Sequence, residues 1–264
     1  MIIYKTKPQI ELIRKNCHLV CKTLALVASN IKPGVSLKKL DSLAEEFIRD
    51  NDSLPGFKGY QGFPATLCMS KNHEVVHGIP TDYELREADI ISIDCGVYAN
   101  NYFGDAAYTF AIVGTDEATQ HLLEVTQKSL YLGIEQAKIG SRLGNLGNTI
   151  QKYCESHGYS VVQELVGHGL GTNLHEDPQV PNYGRRGLGK KIKEGLVIAI
   201  EPMINLGKRH VHQLEDNWTI CTKDGKPSAH FEHTIAVTKS GPDILSDHSY
   251  IKDELKNNPY LLDI

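Results

Sequence analysis

Apolar residues recur every three or four positions over roughly 8–30. Ile10, Ile13, Cys17, Val20, Leu24 and Val27 fall on one stripe, which predicts an amphipathic helix. Thr6 followed by Lys7-Pro8 supplies its start. A second stripe follows Ser36, with Leu37, Leu40, Leu43, Phe47 and Ile48. The period then changes. ATLCMS, ADIISID and AAYTFAIV are short apolar runs of strand character. The same order returns further on. A helix is predicted over roughly 117–137, with Leu122, Leu123, Thr126, Leu130 and Ile134, and another over roughly 142–157, with Leu143, Leu146, Ile150 and Cys154. Strand-like runs follow: SVVQELV, LVIAIEP, WTICT and EHTIAVT.

The recurrence extends to residues. Lys32, Gly34, Leu37 and Leu40 stand 106 positions before Lys138, Gly140, Leu143 and Leu146. EADIISID, ending at Asp94, resembles EGLVIAIE, ending at Glu201, at an offset of 107. An offset held from Lys32 to Asp94 predicts a duplicated unit with halves at about 1–115 and 116–264. Two such halves bury their strands against each other with helices outside. The expected fold is therefore one α+β domain, a pseudo-twofold arrangement around a largely antiparallel sheet.

Composition narrows the function. The 264 residues suffice for one large domain, and 41% hydrophobic with 23% charged residues is ordinary for a globular protein. A net charge of -4 without a dense Lys/Arg block argues against nucleic-acid readout. MIIYKTKPQIELIRKN is too interrupted by charge for a signal peptide, and no run approaches the ~18 apolar residues of a membrane span. A cytoplasmic location is expected. The six cysteines form no CxxC pair and read as buried reduced thiols, with Cys17 and Cys21 on one helix face.

Chemistry becomes legible where the halves match. Asp94 and Glu201 each end an apolar strand-like run, and Asp105 and Glu232 each open the next one. Period-two alternation puts Ser92 with Asp94, Ala199 with Glu201, Ala107 and Thr109 with Asp105, and Thr234 and Ala236 with Glu232. These small neighbours leave room between the acids. Carboxylates gathered in a core repel and cost several kcal/mol each unless compensated. In GHGLGTNLHEDP, His168 and His175 stand seven apart among glycines that permit close approach, and His77 closes another strand-like run. Four carboxylates and one imidazole suit Mn²⁺, Fe²⁺, Co²⁺ or Zn²⁺, and four negative charges balance two dications. Such a pair supplies a water nucleophile at neutral pH.

The sequence resembles the type I methionine aminopeptidases of peptidase family M24 over nearly its whole length. The matching segments are GFPATLCMSKNHEVVHGIP, IISIDCGVYANNYFGDAAYTF, VGHGLGTNLHEDPQVPNYG, VIAIEPM and HFEHTIAVT. The resemblance implies the pita-bread fold, a dinuclear metal site and removal of the initiator methionine from nascent chains, with a preference for a small second residue. It implies metal ligands at Asp94, Asp105, His168, Glu201 and Glu232, and substrate contacts at His77 and His175. A methionine pocket is implied at Tyr60, Phe63, Cys68, Leu174 and Trp218, and a monovalent cation near Asn72 and Ser228. Glu201 would carry a proton from the water to the leaving amine, His175 would polarise the carbonyl, and His77 would bond the scissile nitrogen. Relatives often carry Tyr where Phe63 and Phe231 stand, and Cys at Val76. These departures bear on the pocket and not on the reaction. Work on nascent chains implies the ribosome as a neighbour, though no docking surface is visible in the sequence, and a monomer is expected. The alternatives are another peptidase of the same fold, such as an X-Pro aminopeptidase or prolidase, and a non-catalytic binding protein that has lost ligands. A mononuclear iron oxygenase would leave the four matched acids unexplained.

Overall fold

A computed structural model describes residues 1–264. Helix α1, Lys7–Asn30, starts where a capping box closes it: the Thr6 amide donates to Gln9 Oε1 at 2.8 Å. Its stripe is buried at Ile13, Cys17, Val20, Leu24 and Val27. Helix α2, Leu37–Asp50, follows Ser36, whose hydroxyl accepts from the Lys39 amide. The first strands are β1 Leu54–Pro55, β2 Leu67–Lys71, β3 Glu74–Val76, β4 Ile90–Ala99 and β5 Tyr102–Ala111. Then come α3, Glu117–Ile134, and α4, Leu143–Ser156. Asp116 caps α3 by accepting from the Thr119 amide at 3.0 Å.

The second half continues with β6 Ser160–Val161, β7 Gly167–Gly169, β8 Glu176–Val180, β9 Val197–Ile200 and β10 Met203–Asn205. It is completed by β11 Val211–Gln213, β12 Ile220–Thr222, β13 Ser228–His230, β14 His233–Thr238, β15 Gly241–Ile244 and helix α5, Ser249–Asn257. Every strand pair is antiparallel. In the first half β4 is the hub: β5 pairs along its full length, and β2 and β1 share its other edge. In the second half the order is β15-β14-β9-β7-β8. A core of 48 buried residues draws on strands and helices of both halves. This is the α+β pita-bread architecture, with helices around antiparallel sheets.

Two expectations need correction. Asp94 and Asp105 do not lie at strand ends. β4 and β5 form an unbroken ladder from Ile90↔Ala111 to Ala99↔Tyr102, so both acids stand within ten-residue strands. Only Glu201, just after β9, and Glu232, just before β14, flank their strands. The run SVVQELV yields strand at Ser160–Val161 alone: these two pair with β10, and the chain departs after one further bond from the Val162 amide to the Met203 carbonyl at 3.1 Å. Helix α5 was not predicted. It buries only Ile251 and Leu255, too short a pattern to register. All six cysteines are free and buried.

Helix α1 lies directly on the β4–β5 hairpin. A Cβ on Gly104 would stand 2.5 Å from the Cys17 backbone nitrogen, so only glycine permits that approach. The Asn16 amide donates to the carbonyls of Ala99 at 2.9 Å and Tyr102 at 2.8 Å, fixing the turn of the hairpin.

Candidate metal centre and substrate cavity

The four acids converge from the two sheets. Asp94 pairs with Ala107, and Asp105 pairs with Gly96 on the adjoining strand, so the two carboxylates are diagonal neighbours. The register His233↔Ile200 brings Glu232 and Glu201 alongside each other at the ends of β14 and β9. Hydroxyl groups tie the elements together. Ser92 and Thr109 hydroxyls are 2.8 Å apart, and the Thr234 hydroxyl donates to the Asp105 carbonyl at 2.8 Å.

His168 enters from β7. A Cβ on Gly167 would meet the Ala199 carbonyl oxygen at 2.4 Å, and one on Gly169 would meet the Asp177 carbonyl oxygen at 2.3 Å. The two glycines therefore let β7 press against both neighbours. His168 Nδ1 donates to the Gly169 carbonyl at 2.9 Å, which fixes the tautomer and leaves the Nε2 lone pair free. That Nε2 lies 3.6 Å from Glu201 Oε1 and 3.8 Å from Asp105 Oδ2. Ligand atoms of Asp105, His168 and Glu232 lie within 4.8 Å of one another.

Electrostatics sets the requirement for a cation. Asp94 Oδ1, Asp105 Oδ1 and Glu232 Oε1 are buried without hydrogen-bond partners. Burial pushes Asp105 and Glu232 well above the usual carboxylate range, and repulsion from Asp94 and the other acids adds to it. Burial raises Asp94 to about 7. Burial also acts to raise Glu201, but the neighbouring imidazoles of His230, His168 and His77 outweigh it and hold Glu201 low. Three orphaned oxygens, clustered acids and a preset imidazole lone pair fit a divalent metal.

Above the acids opens a cavity of about 180 Å³. Its lining contains all twelve predicted site residues: Asp94, Asp105, His168, Glu201 and Glu232 with Tyr60, Phe63, Cys68, His77, Leu174, His175 and Trp218. Phe57 and Gln61 also line it. Trp218 meets Phe63 edge-on, with ring centroids 5.1 Å apart. His77 has a φ of 59°, a left-handed conformation that is strained for a residue with a Cβ and turns its ring toward Trp218. His175 lies at the exposed rim, its Nδ1 2.8 Å from the Tyr60 hydroxyl and its ring 4.3 Å from that of His168. Protein still surrounds most of the ring, and this burial together with His168 lowers its pKa to about 4. Burial likewise lowers His77.

Residues 11–239 match the model of metallopeptidase family M24. The chain belongs to that family. It is 50% identical over 246 residues to methionine aminopeptidase 1 of Bacillus subtilis, covering 93% of this chain and 99% of that protein. The methionine aminopeptidase of Clostridium perfringens is 48% identical with the same coverage. Among solved structures, the methionine aminopeptidase of Thermotoga maritima superposes with a TM-score of 0.92 at 42% identity, covering 94% of this chain and all of that one. The prolidase of Pyrococcus furiosus shares the fold alone, at 23% identity and a TM-score of 0.77. The chain is thus an enzyme, a metallopeptidase of the methionine aminopeptidase group.

Phe57, Gln61 and His230 of this M24 peptidase escaped the sequence reading. Phe57 faces the site because it packs on Gly96, where a Cβ would meet its ring at 2.5 Å. That contact spans almost forty residues and leaves no local pattern. His230 did leave one, since it stands two residues before Glu232.

Proposed function

We propose that the protein removes N-terminal methionine from peptides and nascent chains, using two divalent ions held by Asp94, Asp105, His168, Glu201 and Glu232. The observation that carries this reading is the convergence of four carboxylates and one imidazole, with unpaired buried oxygens, at the floor of a cavity walled by aromatic rings and Cys68. Its relatives, methionine aminopeptidases matched over nearly their full lengths, support it. Four carboxylates balance two dications, and the oxygen-rich set suits Mn²⁺, Fe²⁺, Co²⁺ or Zn²⁺. Bound divalent ions supply Lewis acidity and a water nucleophile at neutral pH.

The residues divide the remaining work. Glu201, held low by its histidine neighbours, is ionised at pH 7 and can accept a proton from the attacking water and return it to the leaving amine. With the Tyr60 hydroxyl, 2.8 Å away, donating to His175 Nδ1, Nε2–H is free to act as a neutral donor to the substrate carbonyl. His77, held in place by its strained backbone, accepts from the scissile amide N–H. Phe57, Phe63, Cys68, Leu174 and Trp218 form an apolar slot suited to an unbranched thioether.

Several finer points belong to the same reading. Asn72 and Ser228 hold a monovalent cation through backbone oxygens; the Ser228 amide already donates to the Asn72 carbonyl at 3.0 Å, so the two segments are adjacent. The enzyme works as a cytoplasmic monomer on chains emerging from the ribosome. No helix is long and apolar enough to cross a membrane.

Second-residue preference tests the proposal. Peptides with Gly, Ala or Ser after methionine should be cleaved at least ~10-fold faster in kcat/KM than those with Leu, Lys or Arg, the size of discrimination a steric pocket gives. A peptide series read by chromatography of free methionine measures this. Equal rates across the series would exclude the assigned specificity.

A further inference from the structure

His230 does not line the cavity, and no binding or catalytic role above is assigned to it. It ends β13, is 1% exposed, and its Nε2 has no hydrogen-bond partner. A buried polar atom left unpaired calls for a physical account. Glu201 Oε2 lies 3.6 Å from that nitrogen. The gap is a few tenths of an ångström beyond a hydrogen bond.

The backbone that carries the ring is firmly held. The His230 amide donates to Thr109 Oγ1 at 3.0 Å, and the Thr109 hydroxyl donates to the His230 carbonyl at 2.6 Å. Ser92 completes the set through its 2.8 Å contact with Thr109. His230 also pairs in register with Met203, two residues past Glu201. The ring is therefore anchored to the two strands that carry Asp94 and Asp105. Glu201 is approached from both sides, by His168 Nε2 at Oε1 and by His230 Nε2 at Oε2.

We infer that His230 is a positioning residue whose Nε2–H holds Glu201 Oε2, so that Oε1 is presented toward His168 and the cavity. The inference rests on the reading of Glu201 as metal ligand and proton carrier. Residues that orient a ligand from behind typically cost 10–100-fold in metal affinity or activity when removed. H230F keeps the ring volume and removes the donor, while H230Q places an amide donor at similar reach.

The test uses the full chain. Mn²⁺ affinity is measured by calorimetry, and kcat and KM are measured at saturating Mn²⁺ on a Met-Ala-Ser peptide. H230F is expected to lose ~10–100-fold in Mn²⁺ affinity, in kcat or in both, with KM within a few fold of the unsubstituted protein. H230Q should return to within a few fold. If H230F does not fold, H230N, whose amide stops short of Glu201, takes its place with the same expectation. H230F equal to the unsubstituted protein in both readouts, or H230Q no better than H230F, would overturn the inference. The calorimetric arm needs no turnover. Failure of the unsubstituted protein to release methionine would count against the peptidase reading, and Mn²⁺ affinity would still judge His230.

Discussion

Stripped of divalent metal, the protein is expected to lose its peptidase activity and to regain it with Mn²⁺, Fe²⁺ or Co²⁺. Its stability should respond as well, with a sign fixed by the acids. Asp94, Asp105 and Glu232 have raised pKa values in the folded chain, so without metal the folded state binds more protons than the unfolded one. Stability then falls as pH rises from the unfolded carboxylate range near ~4 through about 7, the value for Asp94. Glu201, held low, opposes this in part. Metal replaces the missing protons, so its stabilising effect grows toward alkaline pH. At a hundredfold excess over Kd, a bound ion adds ~2.7 kcal/mol, or roughly 5–10 °C in Tm for a chain of this size. Differential scanning fluorimetry with and without Mn²⁺ should give that increment at pH 8 and a smaller one at pH 5.5. An equal increment at both would mean that the acids do not share the ion.

Substituting the two histidines of the glycine-rich segment separates binding from catalysis. His175→Ala should keep its metal, keep KM within a few fold and lose ~10²–10³-fold in kcat, the usual cost of one donor that acts mainly in the transition state. His168→Ala should instead lose metal affinity, because His168 Nε2 is the lone pair that the Gly169 carbonyl contact leaves free. Metal content by mass spectrometry, alongside steady-state kinetics, distinguishes them. An emptied site in His175→Ala, or an unchanged kcat, would show the roles to be wrongly divided.

The site was legible in the sequence to the extent that it is built from repeated local patterns. Asp94 and Glu201 close similar apolar runs, and the glycines flanking His168 announce close packing. What stayed hidden depends on tertiary closure. Helix periodicity does not reveal that Asn258, far along the chain, donates to the Ala28 and Ile31 carbonyls and so caps α1. Nor does it reveal that β4 continues past Asp94. Strand length there is set by the full-length partner β5, not by the polarity of one residue. Phe57 reaches the cavity through its contact with Gly96, and the φ of His77 arises from the turn that joins β3 to the segment packed on Met69. His230 was visible as a spacing and invisible as chemistry until Glu201 was seen beside it.

Cleavage after a free N-terminal methionine at a metal centre follows from this reading. It is tested most directly by incubating the Mn²⁺-loaded protein with Met-Ala-Ser, its N-acetylated form and Leu-Ala-Ser, and quantifying the free amino acid by mass spectrometry. Methionine should appear from the first peptide alone, because the reading requires both a free amine and a thioether in the slot lined by Phe63, Cys68 and Trp218. Release from the acetylated peptide, comparable release of leucine, or no release of methionine would contradict it.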